Sequence, residues 1–149
     1  MGHRKEAFVL MIKRLRPGAV LPRKASPGAT GLDIHACLEQ GELELGHYPT
    51  LVPTGIAVEF EPGLDVQVRP RSGLAAKGVG VVLGTIDSDY RGELMVTMYL
   101  MGGRDSYLIK HEDRIAQLVV SRAVEVDLIK VSELSHTERG TGGHGSTGN

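Results

Sequence analysis

Cysteine occurs once in the 149 residues, at Cys37, so an internal disulfide framework is excluded and a reducing compartment fits. Charge of one sign is not in excess either: 17 lysines and arginines stand against 18 aspartates and glutamates, a net charge of -1. That balance lacks the basic footprint of a duplex-binding protein, so no nucleic-acid partner is expected. A phosphate-bearing ligand would have to be held by local groups. No apolar run approaches the roughly 18 residues needed to span a bilayer. The stretch Met1-Gly2-His3-Arg4-Lys5-Glu6 is too polar, and Phe8–Ile12 too short, for a secretory signal. The expectation is a soluble, cytoplasmic protein with no membrane partner. Side-chain amides are scarce (Gln40, Gln67, Gln117 and Asn149), as in many thermophile proteins, but the charged fraction of 23% is ordinary and gives that reading no support.

What is present in quantity is glycine, 20 residues, with 7 prolines. These punctuate short, β-branched apolar runs: Phe8–Ile12, Leu32–Leu38, Leu51–Phe60, Val79–Leu83, Leu94–Leu100, Ser106–Ile109, Ile115–Ser121 and Val124–Val131. Leu64–Arg69 alternates strictly, Leu64, Val66 and Val68 against Asp65, Gln67 and Arg69, the period of a half-buried strand. Strands and turns at this density predict an all-β barrel or sandwich. At 16.0 kDa it fits a single domain with a real core. Helix is predicted only as a short turn over Ser72–Lys77, with Ser72 as its cap. From Ser135 the chain turns polar and glycine-rich and loses periodicity, which divides it into residues 1–134 and an arm, 135–149, that builds no core.

Several segments carry chemistry. Gly84-Thr85-Ile86-Asp87-Ser88-Asp89-Tyr90-Arg91-Gly92-Glu93 is a polar turn between two apolar runs. A hairpin there would project Asp87 and Tyr90, a carboxylate and an aromatic face, beside exposed backbone amides. Asp89 is the rival carboxylate, and spacing alone does not separate the two. Pro70-Arg71-Ser72-Gly73 supplies a planar guanidinium, a hydroxyl and free amides at a helix start, which suit an anion; it reads equally well as a surface arginine and a helix cap. Asp33 lies within the apolar stretch Leu32–Ile34, where a carboxylate needs an ion pair, a turn cap or a ligand. Gln117 is a candidate polar contact on Ile115–Ser121, although period-2 alternation would put it on the face of Ile115. Arg139 to Gly148 holds five glycines with Thr141, Ser146 and Thr147 between them. Glycine lets successive amides converge on an anion, and no Gly-Lys-Ser/Thr closes the loop as in a Walker motif. The same composition suits a solvated terminus. His35, His47 and His111 form no metal-ligand pattern and read as surface or packing residues.

In order along the chain, Ala29-Thr30-Gly31-Leu32-Asp33, Pro70-Arg71-Ser72-Gly73-Leu74-Ala75, the Gly84–Glu93 turn, Asp113-Arg114-Ile115-Ala116-Gln117-Leu118 and Arg139–Gly148 resemble the five motifs of the homotrimeric deoxyuridine triphosphatases (dUTPases). The resemblance spans about Lys13 to Gly148. It implies a distorted jelly-roll β-barrel with one short helical turn and a flexible C-terminal tail. The implied activity is hydrolysis of dUTP to dUMP and pyrophosphate, which keeps uracil out of DNA and supplies dUMP for dTMP synthesis. It also implies a homotrimer whose sites are shared between subunits, the glycine-rich arm closing a site of a neighbour.

The roles implied are these. Asp87 is the catalytic carboxylate, orients the attacking water and also contacts the deoxyribose 3′-hydroxyl. Tyr90 packs under the sugar, where a ribose 2′-hydroxyl would clash. Gly84, Thr85, Ile86 and Met95 read uracil through the backbone. Arg71, Ser72, Gly73, Gln117, Arg139, Gly145, Ser146 and Thr147 contact the phosphates. Mg²⁺ is the implied cofactor, with no direct protein ligand and Asp33 touching it through water, since Mg²⁺ keeps much of its hydration. His144 stands where many members carry a phenylalanine that stacks on uracil. An imidazole offers a smaller stacking area and a charge it can acquire in acid, so a weaker, pH-dependent stack is expected. Two rivals share the scaffold: a dCTP deaminase, which would need a base-proximal Glu and a different third motif, and a non-catalytic nucleotide sensor or protein-binding trimer, which would lack Asp87, Arg139 or the tail hydroxyls.

Overall fold

The computed structural model describes residues 8–145. Antiparallel ladders of four sets carry the fold. Strands β2 (Leu32–His35), β11 (Arg114–Arg122), β6 (Leu64–Arg69) and β8 (Gly84–Ile86) form a sheet in that order. Strands β4 (Thr50–Pro53), β9 (Met95–Leu100) and β7 (Val79–Val81) form a second. Strand β1 (Leu10–Arg14) pairs with β5 (Ile56–Phe60), and β10 (Tyr107–Lys110) with β3 (Glu42–Leu45). The core they enclose includes Ile34, Leu45, Val52, Ile56, Val66, Val96, Met98, Ile109, Ile115 and Leu118. Among the described residues no helix is long and apolar enough to cross a membrane.

Alternation was a faithful guide where one face meets this core. In β6 Val66 and Val68 are buried, and in β9 Val96 and Met98 are. The expected hairpin exists, β7 pairing with β9 through Val79↔Leu100 and Val81↔Met98. Its connection is less simple than a turn, because Gly84–Ile86 leaves the hairpin and joins the other sheet as β8, with Val68↔Gly84 and Val66↔Ile86.

Three expectations are corrected. Leu51–Phe60 is two strands, broken at Thr54-Gly55, where Gly55 has φ +70 and the buried Thr54 hydroxyl donates to the Leu94 carbonyl at 2.6 Å. Helix α1 (Ser72–Ala76) forms and buries Leu74, but Arg71 occupies the cap position without a side-chain cap bond, and Ser72 is the first helical residue. Val124–Val131 makes no strand. Val124, Val126, Leu128 and Ile129 are 82%, 72%, 93% and 79% exposed. Alternation marks a face that wants covering, and among the described residues of this chain no sheet edge takes it up.

The break at Gly55 has an energetic consequence. A Cβ there would approach the Ala19 Cβ at 2.8 Å and the Cys37 Sγ at 2.9 Å, in a left-handed conformation that side chains disfavour. Gly55→Ala is expected to cost about 2–4 kcal/mol from overpacking and left-handed strain together. Equilibrium unfolding in denaturant measures it; a loss below about 1 kcal/mol would mean that β4 and β5 shift freely to make room.

Candidate active site

The polar turn builds a cavity of about 390 Å³ where the two sheets part. Its lining includes Gly84, Thr85, Ile86, Asp87, Tyr90 and Met95, together with Leu51, Val68, Glu93 and Leu94. Strand β8 is the edge of its sheet, so backbone groups that do not face β6 remain free for a ligand. Asp87 and Asp89 are both exposed, yet only Asp87 lines the cavity. The Asp87 carbonyl accepts the Tyr90 amide at 3.1 Å, closing the turn that separates them. Tyr90 folds back over Gly92: a Cβ on Gly92 would run into the ring, and the Tyr90 hydroxyl donates to the Glu93 carbonyl at 2.9 Å.

Glu93 is held in turn. Arg16 grips its carboxylate with two parallel bonds of 2.8 and 2.7 Å, and the Gly55 amide donates to the same carboxylate at 3.0 Å. The Arg16 fork holds the Glu93 carboxyl below the usual carboxylate range, against the opposing effect of burial, and Glu93 holds the Arg16 guanidinium above its ordinary value.

A second cluster lies at the far end of β6. Arg71 Nε and Arg114 Nη1 stand 3.8 and 3.5 Å from the two oxygens of Asp33, whose side chain is only 13% exposed. Arg71 also donates to the Arg114 carbonyl at 3.1 Å, and Gln117 to the Pro70 carbonyl at 2.9 Å. Asp33 is therefore ion-paired, which is one of the partners its apolar neighbours demanded. The Gln117 phase problem is solved by a bulge between Arg114 and Ala116: Ile115, Ala116 and Leu118 are buried, and Gln117 turns to the opposite face. Exposed Ser72 and Gly73 follow Arg71 directly. His35 is buried beside Asp33, and burial pushes its imidazole pKa below the ordinary value, Asp33 opposing. His111 accepts the Leu38 amide and His47 is a surface residue, as expected.

A family model described as dUTPase matches residues 18–148. The chain belongs to the dUTPase family. It is 46% identical to the deoxyuridine 5′-triphosphate nucleotidohydrolase of Treponema denticola, over 91% of this chain and 95% of that protein. To that of Wolinella succinogenes it is also 46% identical, over 99% of each. Among solved structures it resembles the Staphylococcus bacteriophage 80alpha dUTPase with dUPNHPP, at 25% identity and a TM-score of 0.82, covering 95% of this chain and 99% of that one. A mutant dUTPase of phage phi11 of S. aureus, described as coordinating a structural Mg(II) ion, is 21% identical with a TM-score of 0.74, covering 84% and 97%. The distorted jelly-roll barrel expected of a dUTPase is the fold observed.

In this family member the third-motif residues come together in one cavity, and the first, second and fourth motifs meet around Asp33. The described part of the arm, residues 135–145, joins neither. Arg139 donates to the Gly142 carbonyl at 2.7 Å, inside its own turn, and exposed His144 and Gly145 follow with φ values of 52 and 82. Ser146 and Thr147 lie outside the described residues. Arg16 and Glu93 escaped the reading of the sequence. The available signal was Glu93 itself, a carboxylate between Gly92 and the apolar start of β9, which requires a cation that only the fold supplies.

Proposed function

We propose that this chain, a dUTP diphosphatase by family, cleaves Mg²⁺-bound dUTP at the α-phosphorus in a cytoplasmic homotrimer whose sites each draw on more than one copy. The observation that carries the reading is the shared cavity of Gly84, Thr85, Ile86, Asp87, Tyr90 and Met95. It joins an unpaired strand edge for a pyrimidine to a ring for a sugar and a carboxylate for a water. Asp87 orients water in line with the leaving pyrophosphate and takes its proton as oxygen bonds to the α-phosphorus and the α–β bridging bond breaks. Tyr90 meets the sugar, and rejection of misfit nucleotides rests on backbone groups left unpaired by the wrong base.

Register supports the shared site. The β6–β8 ladder runs out at Val66↔Ile86, so Asp87 follows on next to Asp65, whereas Arg71 lies six residues on from Asp65, two past the end of β6 at Arg69. At about 3.3 Å per residue an extended chain of that length spans about 20 Å, longer than a triphosphate. The Arg71 cluster of one copy then serves a nucleotide whose base sits against another copy. The exposed apolar side chains among residues 124–134 support association as well, since Leu128 and Leu134 are 93% and 89% exposed in the single chain. The arm, with Arg139, His144 and Gly145 and onward to Ser146 and Thr147, would complete a neighbour's site.

Among the described residues no group of three or more His, Cys, Asp or Glu could hold a metal, and Asp33 already faces two guanidiniums. This donor set fits an ion carried in on the phosphates and met by Asp33 through water. When bound, Mg²⁺ neutralises phosphate charge. Arg71 and Arg139 add fixed positive charge, and Gln117, Ser72 and Gly73 add donors.

The test is pyrophosphate release from dUTP, UTP, dTTP and dCTP, with and without Mg²⁺, alongside the solution mass. Mg²⁺-dependent release from dUTP alone, by a particle of three chains, is expected. Release of ammonia from dCTP would favour the deaminase, and a silent trimer the sensor.

A further inference from the structure

The wall of the cavity at Glu93 is thin. A second cavity of about 360 Å³, lined by Arg16, Cys37, Leu43 and Pro53 among others, lies on the other side of the same residue. Leu94, the next residue, is buried in the core, whereas Glu93 itself lines both cavities and its carboxylate is held by hydrogen bonds. Two of these are the Arg16 fork on the carboxylate, the third is the Gly55 amide, and Leu94 is tied to Ile56 and Thr54. Tyr90 is short of packing. The residue is 46% exposed, and among the described residues its hydroxyl is anchored on the Glu93 carbonyl alone.

We propose that Arg16 is a positioning residue for sugar discrimination: by gripping the Glu93 carboxylate it fixes the carbonyl that receives the Tyr90 hydroxyl, and so fixes the ring that meets the sugar. The inference rests on the reading of Tyr90 given above. Arg16 lies 77 positions before Glu93 and does not line the nucleotide cavity. Its action is indirect. Without it the Glu93 carboxylate keeps the Gly55 amide and can swing toward the second cavity, and the peptide that carries the Tyr90 anchor is left to the Leu94–Ile56 bond of its own plane. Deoxyribose and ribose differ by one hydroxyl, so exclusion by contact depends on the ring staying within a fraction of an ångström of its place. A bidentate guanidinium holds such geometry better than a single ammonium, whose charge is the same but whose direction is not fixed.

The experiment compares kcat and KM for dUTP and UTP in wild type, Arg16→Met, Arg16→Lys and Tyr90→Ala. The ratio of the two kcat/KM values is independent of how much of a variant is folded, so a stability loss alone leaves it unchanged. Arg16→Met is expected to lower the dUTP preference about tenfold, with the dUTP loss falling mainly on KM, and Arg16→Lys to lie between it and wild type. Tyr90→Ala sets the full loss. An unchanged preference in Arg16→Met, where Tyr90→Ala lowers it, overturns the inference. An unchanged preference in Tyr90→Ala overturns the reading of Tyr90, and the inference with it.

Discussion

Asp87→Asn is expected to lower kcat for dUTP about 10³-fold while leaving the unfolding midpoint where it was. The substitution keeps the shape of the side chain and removes its ability to take a proton. The fold asks nothing of the carboxylate itself: Asp87 is exposed, and the bond it contributes to the turn comes from its backbone carbonyl, which receives the Tyr90 amide at 3.1 Å. The loss should fall on kcat far more than on KM, because a water-orienting carboxylate acts mainly in the transition state. Steady-state kinetics with dUTP, paired with thermal unfolding, reads both. Retention of kcat within tenfold would transfer the role to another carboxylate, Asp89 being the nearest in sequence.

A mixture of two inactive variants is expected to recover activity. Asp87→Asn removes the proposed base at one end of β6, and Arg71→Ala weakens the proposed phosphate-binding cluster at the other, where Arg71 bridges Asp33 and the Arg114 carbonyl. In the proposed trimer, an assembly of either variant alone would be crippled. When the two chains are refolded together in equal amounts, a site that takes Asp87 from one copy and Arg71 from another is intact in about a quarter of cases by random assortment around a threefold ring. Recovery to about a quarter of wild-type kcat/KM is therefore the outcome expected of shared sites. If both residues served one nucleotide from the same copy, every site would carry one lesion and mixing would restore nothing. Arg71→Ala also leaves Asp33 with Arg114 alone, so the folded fraction of each variant must be measured beside the rates.

How much of this was legible beforehand depended on whether the governing interaction was local. Leu64–Arg69 announced its strand because alternate residues face core and solvent within six positions. Val124–Val131 carried the same kind of signal and misled, since a period says that a face needs cover and not which chain supplies it. The break at Gly55 is set by φ and by the closeness of Ala19 and Cys37, and neither can be read along the sequence. A one-residue bulge before Ala116 was equally invisible, yet it alone turns Gln117 away from Ile115. The third motif was recognisable as a unit, and its Gly84, Thr85, Ile86, Asp87 and Tyr90 do share a cavity. The Arg16 grip on Glu93 joins positions 77 apart and leaves no local mark.

Strand β6 is bonded along both edges, to β11 through Gln117↔Arg69 and its successors and to β8 through Val68↔Gly84. A strand clamped in this way cannot slip by one residue without turning Val66 and Val68 out of the core. In the proposed ring it therefore acts as a ruler, one end set against one nucleotide and the other against the next. Loops around the barrel can lengthen or shorten without altering that spacing, whereas inserting or deleting one residue between Leu64 and Arg69 would put adjacent sites out of step.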